Sequence, residues 1–336
     1  MLNFAIIGFG GLGKSHYRNV SEVAAKVKDI NLVAICDVDE ASFHTQTATN
    51  LGAVNDNLDL SAYHLYTDVE ELLDKEQLDF VITAIPTYVH EKVAVMAMER
   101  GLHVFSEKPM AINKEQAENM LAAARKNNVK LMIGQCLRYW PEYVILKEII
   151  ESKKYGNVIN ADFARISATP LWSWQNWMMD EEKSGGAALD MHVHDVDFIN
   201  WAFGAPKAVT SVATHFKCPY DSITTVYDYD DMFVTATGDW GMPADFPFSG
   251  SFIVKFEKAT VTLNADGMKV YHEDGGIEQL EIPAGDAYVN EIVDFVTCIR
   301  ENKEININHP ESSCQSLKIA LAEKESARTG EKVVLS

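Results

Sequence analysis

The stretch that most constrains this chain is the run Gly8-Phe9-Gly10-Gly11-Leu12-Gly13 near its amino terminus. An apolar segment at residues 2–7 precedes the run, and residues 14–29 carry apolar side chains at helical spacing. A G-x-G-x-x-G match indicates dinucleotide binding only in this context of strand, turn and helix. The first glycine permits a tight turn, the second lets backbone approach a pyrophosphate, and the third lets helix pack on strand. We therefore expect residues 8–13 to bind phosphates at the start of a helix.

Length and composition indicate a globular protein of two domains. The chain has 336 residues, of which 47% are hydrophobic and 23% charged, and single cores seldom grow beyond roughly 300 residues. No apolar run is long enough to span a bilayer, and the immediate first strand leads us to expect no signal peptide. The net charge of −20 disfavours nucleic acid and anionic membrane as partners. Five scattered cysteines without a C-x-x-C pair predict free thiols and a cytoplasmic location.

Apolar runs alternate with helical segments through the first 134 residues. This alternation predicts a parallel, doubly wound sheet, in which ligands bind at the carboxyl ends of the strands. Thr67-x-x-Glu70 and Asn113-x-x-Gln116 predict two helix starts. The predicted strands are residues 2–7, 30–36, 78–85, 102–106 and 129–134, with a short strand inside the polar segment 52–66. Asp37, Pro86, Glu107 and Gly134 follow or end such strands.

Asp37 directly follows the second predicted strand. In a dinucleotide fold, an acid at this point binds the hydroxyl groups of the adenosine ribose. Its charge would repel a 2′-phosphate, and no Arg or Lys occurs at residues 38–40. We therefore expect NAD as the cofactor, with NADP disfavoured. The alternative is that Asp37 caps the next helix.

The second half of the chain has a different pattern. Alternating apolar and polar residues predict half-exposed antiparallel strands, and the glycines at 275–276 predict a hairpin. Two terminal helices are predicted at 286–301 and 310–329, the second stopped by Gly330. The expected fold is an α+β domain on a large, open, mostly antiparallel sheet. Its predicted strands are residues 158–166, 208–216, 233–240, 251–256, 260–264, 269–272 and 277–282.

The segment 185–197, Gly-Gly-Ala-Ala-Leu-Asp-Met-His-Val-His-Asp-Val-Asp, interrupts the strand pattern. A helix that starts after its glycines would place Asp190, His194 and Asp197 on one face. His192 would point elsewhere, as a packed or surface histidine. The H-x-H-x-D spacing resembles a metal-binding loop, but histidines two apart share a face only on an extended chain. We therefore expect no metal site.

Further motifs give the sequence a family resemblance. With the glycine run, they resemble the Gfo/Idh/MocA family of glucose–fructose oxidoreductase and inositol dehydrogenase, over essentially the whole chain. The motifs are Ala84-Ile85-Pro86-Thr87-x-x-His90, Gly101-x-His103-Val104-x-x-Glu107-Lys108-Pro109 and Gly134-x-x-x-Arg138-Tyr139. The resemblance implies a Rossmann domain at 1–134 and a substrate-binding and oligomerisation domain at 135–336. It also implies a homodimer or homotetramer, since the open sheet often forms the dimer in relatives. The cofactor residues that it implies, besides the glycine run and Asp37, are Ala84, Pro86, His90, Glu107, Lys108 and Trp177.

The same resemblance assigns catalytic roles. Asp190 and His194 match the family's Gly-Gly and Asp-x-x-x-His motif, which is expected to face the nicotinamide across the interdomain cleft. A histidine that titrates near neutrality suits proton transfer, and a neighbouring carboxylate would orient it. A lysine ammonium can stabilise charge on the reacting oxygen. We therefore expect His194 as the acid/base, Asp190 as its partner and Lys108 as the polarising group, although Lys108 could be a solvated loop lysine.

Several candidate substrate residues remain open to two interpretations. Arg138 either anchors a substrate or pairs with an acid, and Tyr139 neighbours it. The tryptophans Trp172, Trp174 and Trp177 suit the apolar face of a sugar but also an ordinary core. Relatives often carry Asn at the position of Cys136 and Arg at the position of Met178.

The sequence thus predicts an NAD(P)-dependent oxidoreductase that acts on a hydroxyl or carbonyl of a sugar or cyclic polyol. One alternative is an NAD-dependent glycosidase that works by transient oxidation and elimination. Another is a non-catalytic NAD-binding regulator, which the joint presence of Lys108, Asp190 and His194 disfavours. The sequence does not identify the substrate.

Overall fold

The computed structural model describes residues 1–45, 48–49, 52–53 and 58–335. The chain divides into two compact units. The first contains residues 1–135, 172–177 and 288–314, and the second contains residues 136–171, 178–287 and 315–336. The first break lies one residue after the predicted boundary at 134. Two later segments, which the sequence assigned to the second domain, belong to the first unit.

The first unit contains the predicted parallel sheet. Its strand order is β5-β2-β1-β6-β7-β8, and all five neighbouring pairs are parallel. This order confirms the doubly wound dinucleotide-binding fold. Residues 54–57 of the predicted polar excursion lie outside the described residues. The strands are β1 (Leu2–Ile7), β2 (Ile30–Cys36), the separate pair β3 (Ala48–Thr49) and β4 (Gly52–Ala53), β5 (His64–Tyr66), β6 (Phe80–Thr83), β7 (His103–Glu107) and β8 (Leu131–Gly134).

Helices connect these strands, and their starts test the predicted caps. They are α1 (Gly11–Val27), α2 (Val69–Lys75), α3 (His90–Glu99) and α4 (Lys114–Asn127). The Asn113 side chain accepts a hydrogen bond from Gln116 N at 2.9 Å, which confirms that cap. The cap predicted at Thr67 is wrong, since Asp68 accepts from Glu71 N at 2.8 Å. Asp is at least as favourable as Thr at an N-cap, so the helix begins one residue later.

The second unit contains the predicted open sheet, with nine strands in the order β16-β15-β14-β13-β9-β12-β11-β10-β17. Only β9 and β12 pair in parallel, so the mostly antiparallel expectation is confirmed. The sequence missed β11, where Thr225 occupies a buried position between apolar ones, and the two-residue β17. The strands are β9 (Val158–Ala168), β10 (Ala208–Thr214), β11 (Ser222–Asp228), β12 (Phe233–Met242), β13 (Ser249–Phe256), β14 (Ala259–Asn264), β15 (Gly267–His272), β16 (Ile277–Gln279) and β17 (Val333–Val334).

The remaining helices are α5 (Pro141–Ser152), α6 (Glu181–Ser184), α7 (Ala187–Asp190), α8 (Val193–Phe203), α9 (Ala287–Arg300) and α10 (Pro310–Thr329). The single helix predicted after the glycine pair is divided into α7 and α8. The N–H groups of Met191 and His192 both reach Ala187 O, at 3.1 and 2.8 Å. The second contact spans five residues and inserts an extra residue into the helical turn, a feature often found at functional sites. Within the described residues, no helix has the length and apolarity needed to cross a membrane.

Helix α9 completes the core of the first unit. Phe295 is fully buried, and its ring lies 5.8 Å from that of Phe80 in β6 and 5.9 Å from that of Phe105 in β7. Aromatic pairs at such distances add stability beyond the burial of apolar area. This packing explains why residues 288–314 belong to the first unit.

Candidate active site

The glycine turn between β1 and α1 leaves no room for side chains at two positions. Gly8 has a φ of 91°, and a Cβ at this residue would overlap Ala84 O in the neighbouring chain segment. A Cβ at Gly13 would overlap Gly8 O, because α1 packs directly on the turn. These are the roles expected for the first and third glycines of a dinucleotide turn.

The start of α1 has the properties of an anion site. Gly10 is its N-cap, no side chain of the described residues caps the helix, and the first turn contains no acidic residue. In the part of the chain that the structure describes, a Cβ at Gly10 would meet nothing within 4 Å, so another group can approach this backbone closely. Uncapped N–H groups and the positive end of the helix dipole favour a phosphate. The turn therefore fits the pyrophosphate of a dinucleotide.

Asp37 is fixed directly after β2 by two backbone contacts. Its Oδ2 accepts from Phe9 N in the glycine turn at 2.6 Å, and its Oδ1 accepts from Asp39 N at 2.9 Å. The carboxylate therefore has a defined orientation beside the turn. Nearby, burial lowers the pKa of Lys14, which donates to Thr45 O, while the charge of Asp37 acts in the opposite direction.

His90 connects the turns that follow two neighbouring strands. Its Nε2 lies 2.8 Å from Ile85 O, after β6, and its Nδ1 lies 2.9 Å from Pro109 O, after β7. Burial lowers the pKa of His90, while the two carbonyl oxygens favour its charged form. Both ring nitrogens are thus engaged with the protein backbone. A direct contact of His90 with the cofactor stays a prediction.

Glu107, at the end of β7, has a partner that the sequence did not suggest. Its Oε1 lies 2.7 Å from His16 Nε2 of α1, and both residues are 3% exposed. Its Oε2 accepts from the backbone N–H of Lys108 at 3.2 Å. A Cβ at Gly134 would lie 3.1 Å from the same Oε2, so the glycine that ends β8 makes room for the carboxylate. His16 lies three residues after Gly13, and only the packing of α1 on the sheet reveals its role.

The tryptophan segment at 172–177 belongs to the first unit. Trp174 donates from its indole Nε1 to Asp39 Oδ2 at 3.2 Å and is 41% exposed. Trp172 and Trp177 are half-buried. The cluster is therefore not an ordinary buried core, although contacts of Trp172 with substrate and of Trp177 with cofactor stay predictions.

In the second unit, Asp190 and His194 lie on either side of the residue inserted between α7 and α8. Asp190 ends α7 and is 7% exposed, whereas His194 lies in the first turn of α8 and is half-buried. His194 Nδ1 lies 3.8 Å from the sulfur of Cys136, a buried residue in the short helical turn 136–139. The structure thus brings a thiol to one ring nitrogen of the expected acid/base.

Two buried ion pairs hold α8 in place. Arg138 donates to both oxygens of Asp197, at 2.8 and 2.7 Å, with both side chains 1% exposed. Of the two interpretations of Arg138, the structure shows the pair with an acid. Contacts of Arg138 and of the buried Tyr139 with substrate stay predictions. Arg165 of β9 similarly donates to both oxygens of Asp195, at 2.8 and 3.0 Å.

His192 is fully buried, which confirms the packed interpretation over the surface one. Its Nε2 lies 3.2 Å from Glu323 Oε2 of α10 and 3.3 Å from the hydroxyl of Tyr227. A Cβ at Gly238 would lie 2.7 Å from the Cβ of His192, so β12 carries a glycine where the histidine packs. Among the described residues, no group of three or more His, Cys, Asp or Glu side chains is arranged to hold a metal ion.

Comparison with known proteins identifies the family. The model of the GFO/IDH/MocA oxidoreductase family, NAD-binding Rossmann fold, matches residues 2–135, and the GFO/IDH/MocA C-terminal domain matches residues 143–278. The chain therefore belongs to the Gfo/Idh/MocA family of NAD(P)-dependent oxidoreductases.

Relatives with assigned activities include two inositol dehydrogenases. The scyllo-inositol 2-dehydrogenase (NADP(+)) of Bacillus subtilis strain 168 is 28% identical over 95% of both chains. An inositol 2-dehydrogenase of Salmonella typhimurium is 26% identical over 68% of this chain and 61% of its own length. The crystal structure of myo-inositol 2-dehydrogenase from Lactobacillus plantarum superposes with a TM-score of 0.79 at 24% identity, covering 100% of this chain and 99% of that one. This last similarity shows the shared fold.

Proposed function

We propose that this protein is an NAD-dependent dehydrogenase that oxidises a hydroxyl group of a sugar or cyclic polyol, or reduces the corresponding carbonyl. The observation that carries the proposal is the fixed backbone of Lys108, which directly follows β7 at the carboxyl end of the parallel sheet. Its backbone N–H is bound by Glu107, and the carbonyl of the next residue, Pro109, contacts His90. A lysine whose backbone is held on both sides is suited to a defined role in catalysis rather than to a solvated loop. The inositol dehydrogenases among the relatives support the substrate class.

In the proposed reaction, three side chains handle charge and protons. The Lys108 ammonium donates a hydrogen bond to the reacting oxygen and stabilises the negative charge that develops there. His194 takes the hydroxyl proton during oxidation and returns it during reduction. Asp190 orients the imidazole and stabilises its charged form. The glycine turn at residues 8–13 and Asp37 would hold NAD, which would supply the hydride acceptor.

The preference for NAD is part of the proposal. It rests on Asp37, whose two carboxylate oxygens are fixed by Phe9 N and Asp39 N directly after β2. A fixed negative charge here repels a 2′-phosphate. The Bacillus subtilis relative is named as an NADP(+) enzyme, so comparing NAD with NADP tests the role of Asp37 directly.

We further propose a homodimer or homotetramer in the cytoplasm. Apolar side chains lie exposed on several strands of the nine-stranded sheet, including Val212 of β10 (69% exposed), Val226 of β11 (43%) and Ile253 of β13 (52%). An apolar surface of this kind is typical of an interface. Light scattering coupled to gel filtration would determine the assembly.

A substrate panel tests the proposed function. Inositols, aldoses and ketoses are incubated with the purified protein and NAD, and NADH formation is followed by absorbance, then repeated with NADP. We expect stoichiometric NADH from at least one polyol or sugar, with NAD favoured. Cleavage of a glycoside without net NADH would instead support the glycosidase alternative. Binding of NAD without turnover of any substrate would support the regulator.

A further inference from the structure

The carboxyl end of β2 carries a second acidic residue with an unexpected partner. Asp39 follows Asp37 by two residues, and its Oδ2 accepts a hydrogen bond from Trp174 Nε1 at 3.2 Å. Trp174 lies 135 residues later in the sequence, in a segment that packs with the first unit. This tryptophan therefore reaches the strand end where a dinucleotide fold binds the adenosine ribose.

A short chain of hydrogen bonds connects Trp174 to the glycine turn. Asp39 Oδ1 accepts a hydrogen bond from Ala41 N at 3.1 Å, which orients the carboxylate. The other oxygen, Oδ2, accepts the hydrogen bond from the indole. Asp39 N donates to Asp37, and Asp37 accepts from Phe9 N. The indole is thus positioned relative to the turn through two carboxylates.

The backbone after Trp174 has a conformation that non-glycine residues seldom adopt. Gln175 (φ 49°, ψ 24°) and Asn176 (φ 54°, ψ 29°) are both left-handed, and Asn176 N donates to Ser173 O at 2.9 Å. Two consecutive non-glycine residues in this region persist only where the surroundings determine them, and such residues cluster at ligand clamps. Despite its bond to Asp39, the Trp174 side chain keeps an accessible surface, with 41% exposure.

We propose that Trp174 belongs to the dinucleotide site: its indole packs on the adenosine end of NAD, and Asp39 holds the indole through its N–H. An aromatic ring can stack on a nucleobase whatever the rest of the ligand. The Asp39 carboxylate also adds negative charge where a 2′-phosphate would lie. The inference deepens the NAD-binding part of the proposed function and is independent of the substrate. It gives Trp174 a different ligand from the sugar that the aromatic cluster suggested.

Calorimetric titration of the full-length protein with NAD tests the inference. We expect Trp174→Ala to weaken NAD binding by roughly tenfold, because the stacking surface is lost. Trp174→Phe keeps an aromatic ring but loses the N–H, so we expect a smaller loss. Asp39→Ala, which removes both acceptor oxygens, should reproduce the effect of Trp174→Phe. Phe216→Ala, which removes an 83% exposed aromatic side chain of the second unit, is the matched control and should bind NAD normally.

Two further measurements separate the parts of the inference. Adding NAD should quench tryptophan fluorescence in the wild type and markedly less in Trp174→Phe. The Asp39→Ala and Trp174→Phe effects should not add in the double variant, since both remove the same bond. Wild-type NAD affinity in Trp174→Ala would overturn the inference, and additive effects would overturn the role of Asp39. If no substrate of the panel is oxidised, the proposed function fails, while these binding measurements still decide the role of Trp174.

Discussion

The glycine turn at residues 8–13 and the segment at 185–197 both carry recognisable motifs, but they are built in different ways. The turn is formed by backbone groups. It depends on the absence of side chains at Gly8 and Gly13 and on the helix start at Gly10, which no described side chain caps. The segment at 185–197 depends on side chains from elsewhere in its unit. Asp195 pairs with Arg165 of β9, and Asp197 pairs with Arg138.

The difference shows where each region is vulnerable. A backbone site for phosphate tolerates changes in its surroundings but not an added Cβ. A segment fixed by buried ion pairs tolerates substitutions only while each buried charge keeps its partner. An unpaired buried charge strongly lowers the stability of the fold. Mutations at the two regions should therefore affect different measured quantities.

The largest effect should come from breaking a buried pair. Arg165→Met leaves the fully buried Asp195 without its bidentate partner, so we expect the free energy of unfolding to fall by about 3 to 5 kcal/mol. Urea unfolding measures the change. The double variant Arg165→Met/Asp195→Leu should recover most of the loss, and Lys332→Ala, from the exposed pair with Asp228, should have almost no effect. Equal losses of unfolding free energy in Arg165→Met and Lys332→Ala would contradict the stabilising role of the buried pair.

The catalytic assignment predicts a loss of activity without a loss of binding. Lys108→Met should lower kcat/KM by about 100- to 1,000-fold, because the charge on the reacting oxygen loses its donor. The affinity for NAD, measured by calorimetry, should change little. Lys92→Met removes an exposed lysine of α3 and serves as the control. Full activity in Lys108→Met would show that Lys108 has no catalytic role.

Two glycine variants sharpen the description of the turn. Gly10→Ala should fold normally, because the added Cβ meets nothing within 4 Å, but should weaken NAD binding by about tenfold where the pyrophosphate approaches. Gly13→Ala should lower the melting temperature as well, because its Cβ would overlap Gly8 O. Thermal unfolding and calorimetry of both variants give the comparison. A turn that is merely structural would show equal NAD affinity in Gly10→Ala and the wild type.

The smallest effect concerns the end of β2 and depends on pH. Burial raises the pKa of Cys36 to about 12 from its ordinary value of 9.0. Because the folded pKa is the higher one, the stabilisation is complete below pH 9.0 and is lost as the pH rises toward 12. Between about pH 8 and about pH 10, Cys36→Ala should therefore lose roughly 1 kcal/mol less stability than the wild type. Parallel losses in both proteins, measured by urea unfolding, would assign the alkaline sensitivity to other groups.

The sequence was most informative where structure depends on local backbone. Glycine spacing predicts the turn, alternating apolar runs predict both sheets, and Asn113 predicts a helix start, because each depends on neighbours along the chain. It was least informative where the partner lies far away. Nothing near Glu107 in the sequence indicates His16, and nothing near Trp174 indicates Asp39.

Side-chain periodicity also failed at one place for a local reason. The extra residue at Met191 and His192 interrupts the helix that the spacing of Asp190, His194 and Asp197 predicts. His192 packs against Glu323 and Tyr227, and this buried contact accompanies the break. Periodicity assumes a regular helix and cannot anticipate an inserted residue.

The position of α9 has a consequence for how the protein is made. All six strands of the first sheet are synthesised by residue 134, but Phe295, which packs on Phe80 and Phe105, follows more than 150 residues later. At cellular rates of translation this delay is on the order of ten seconds. The apolar surface on β6 and β7 is therefore present on the ribosome before its cover exists. Chaperone binding to the nascent chain should be strongest in that interval and should end when α9 emerges.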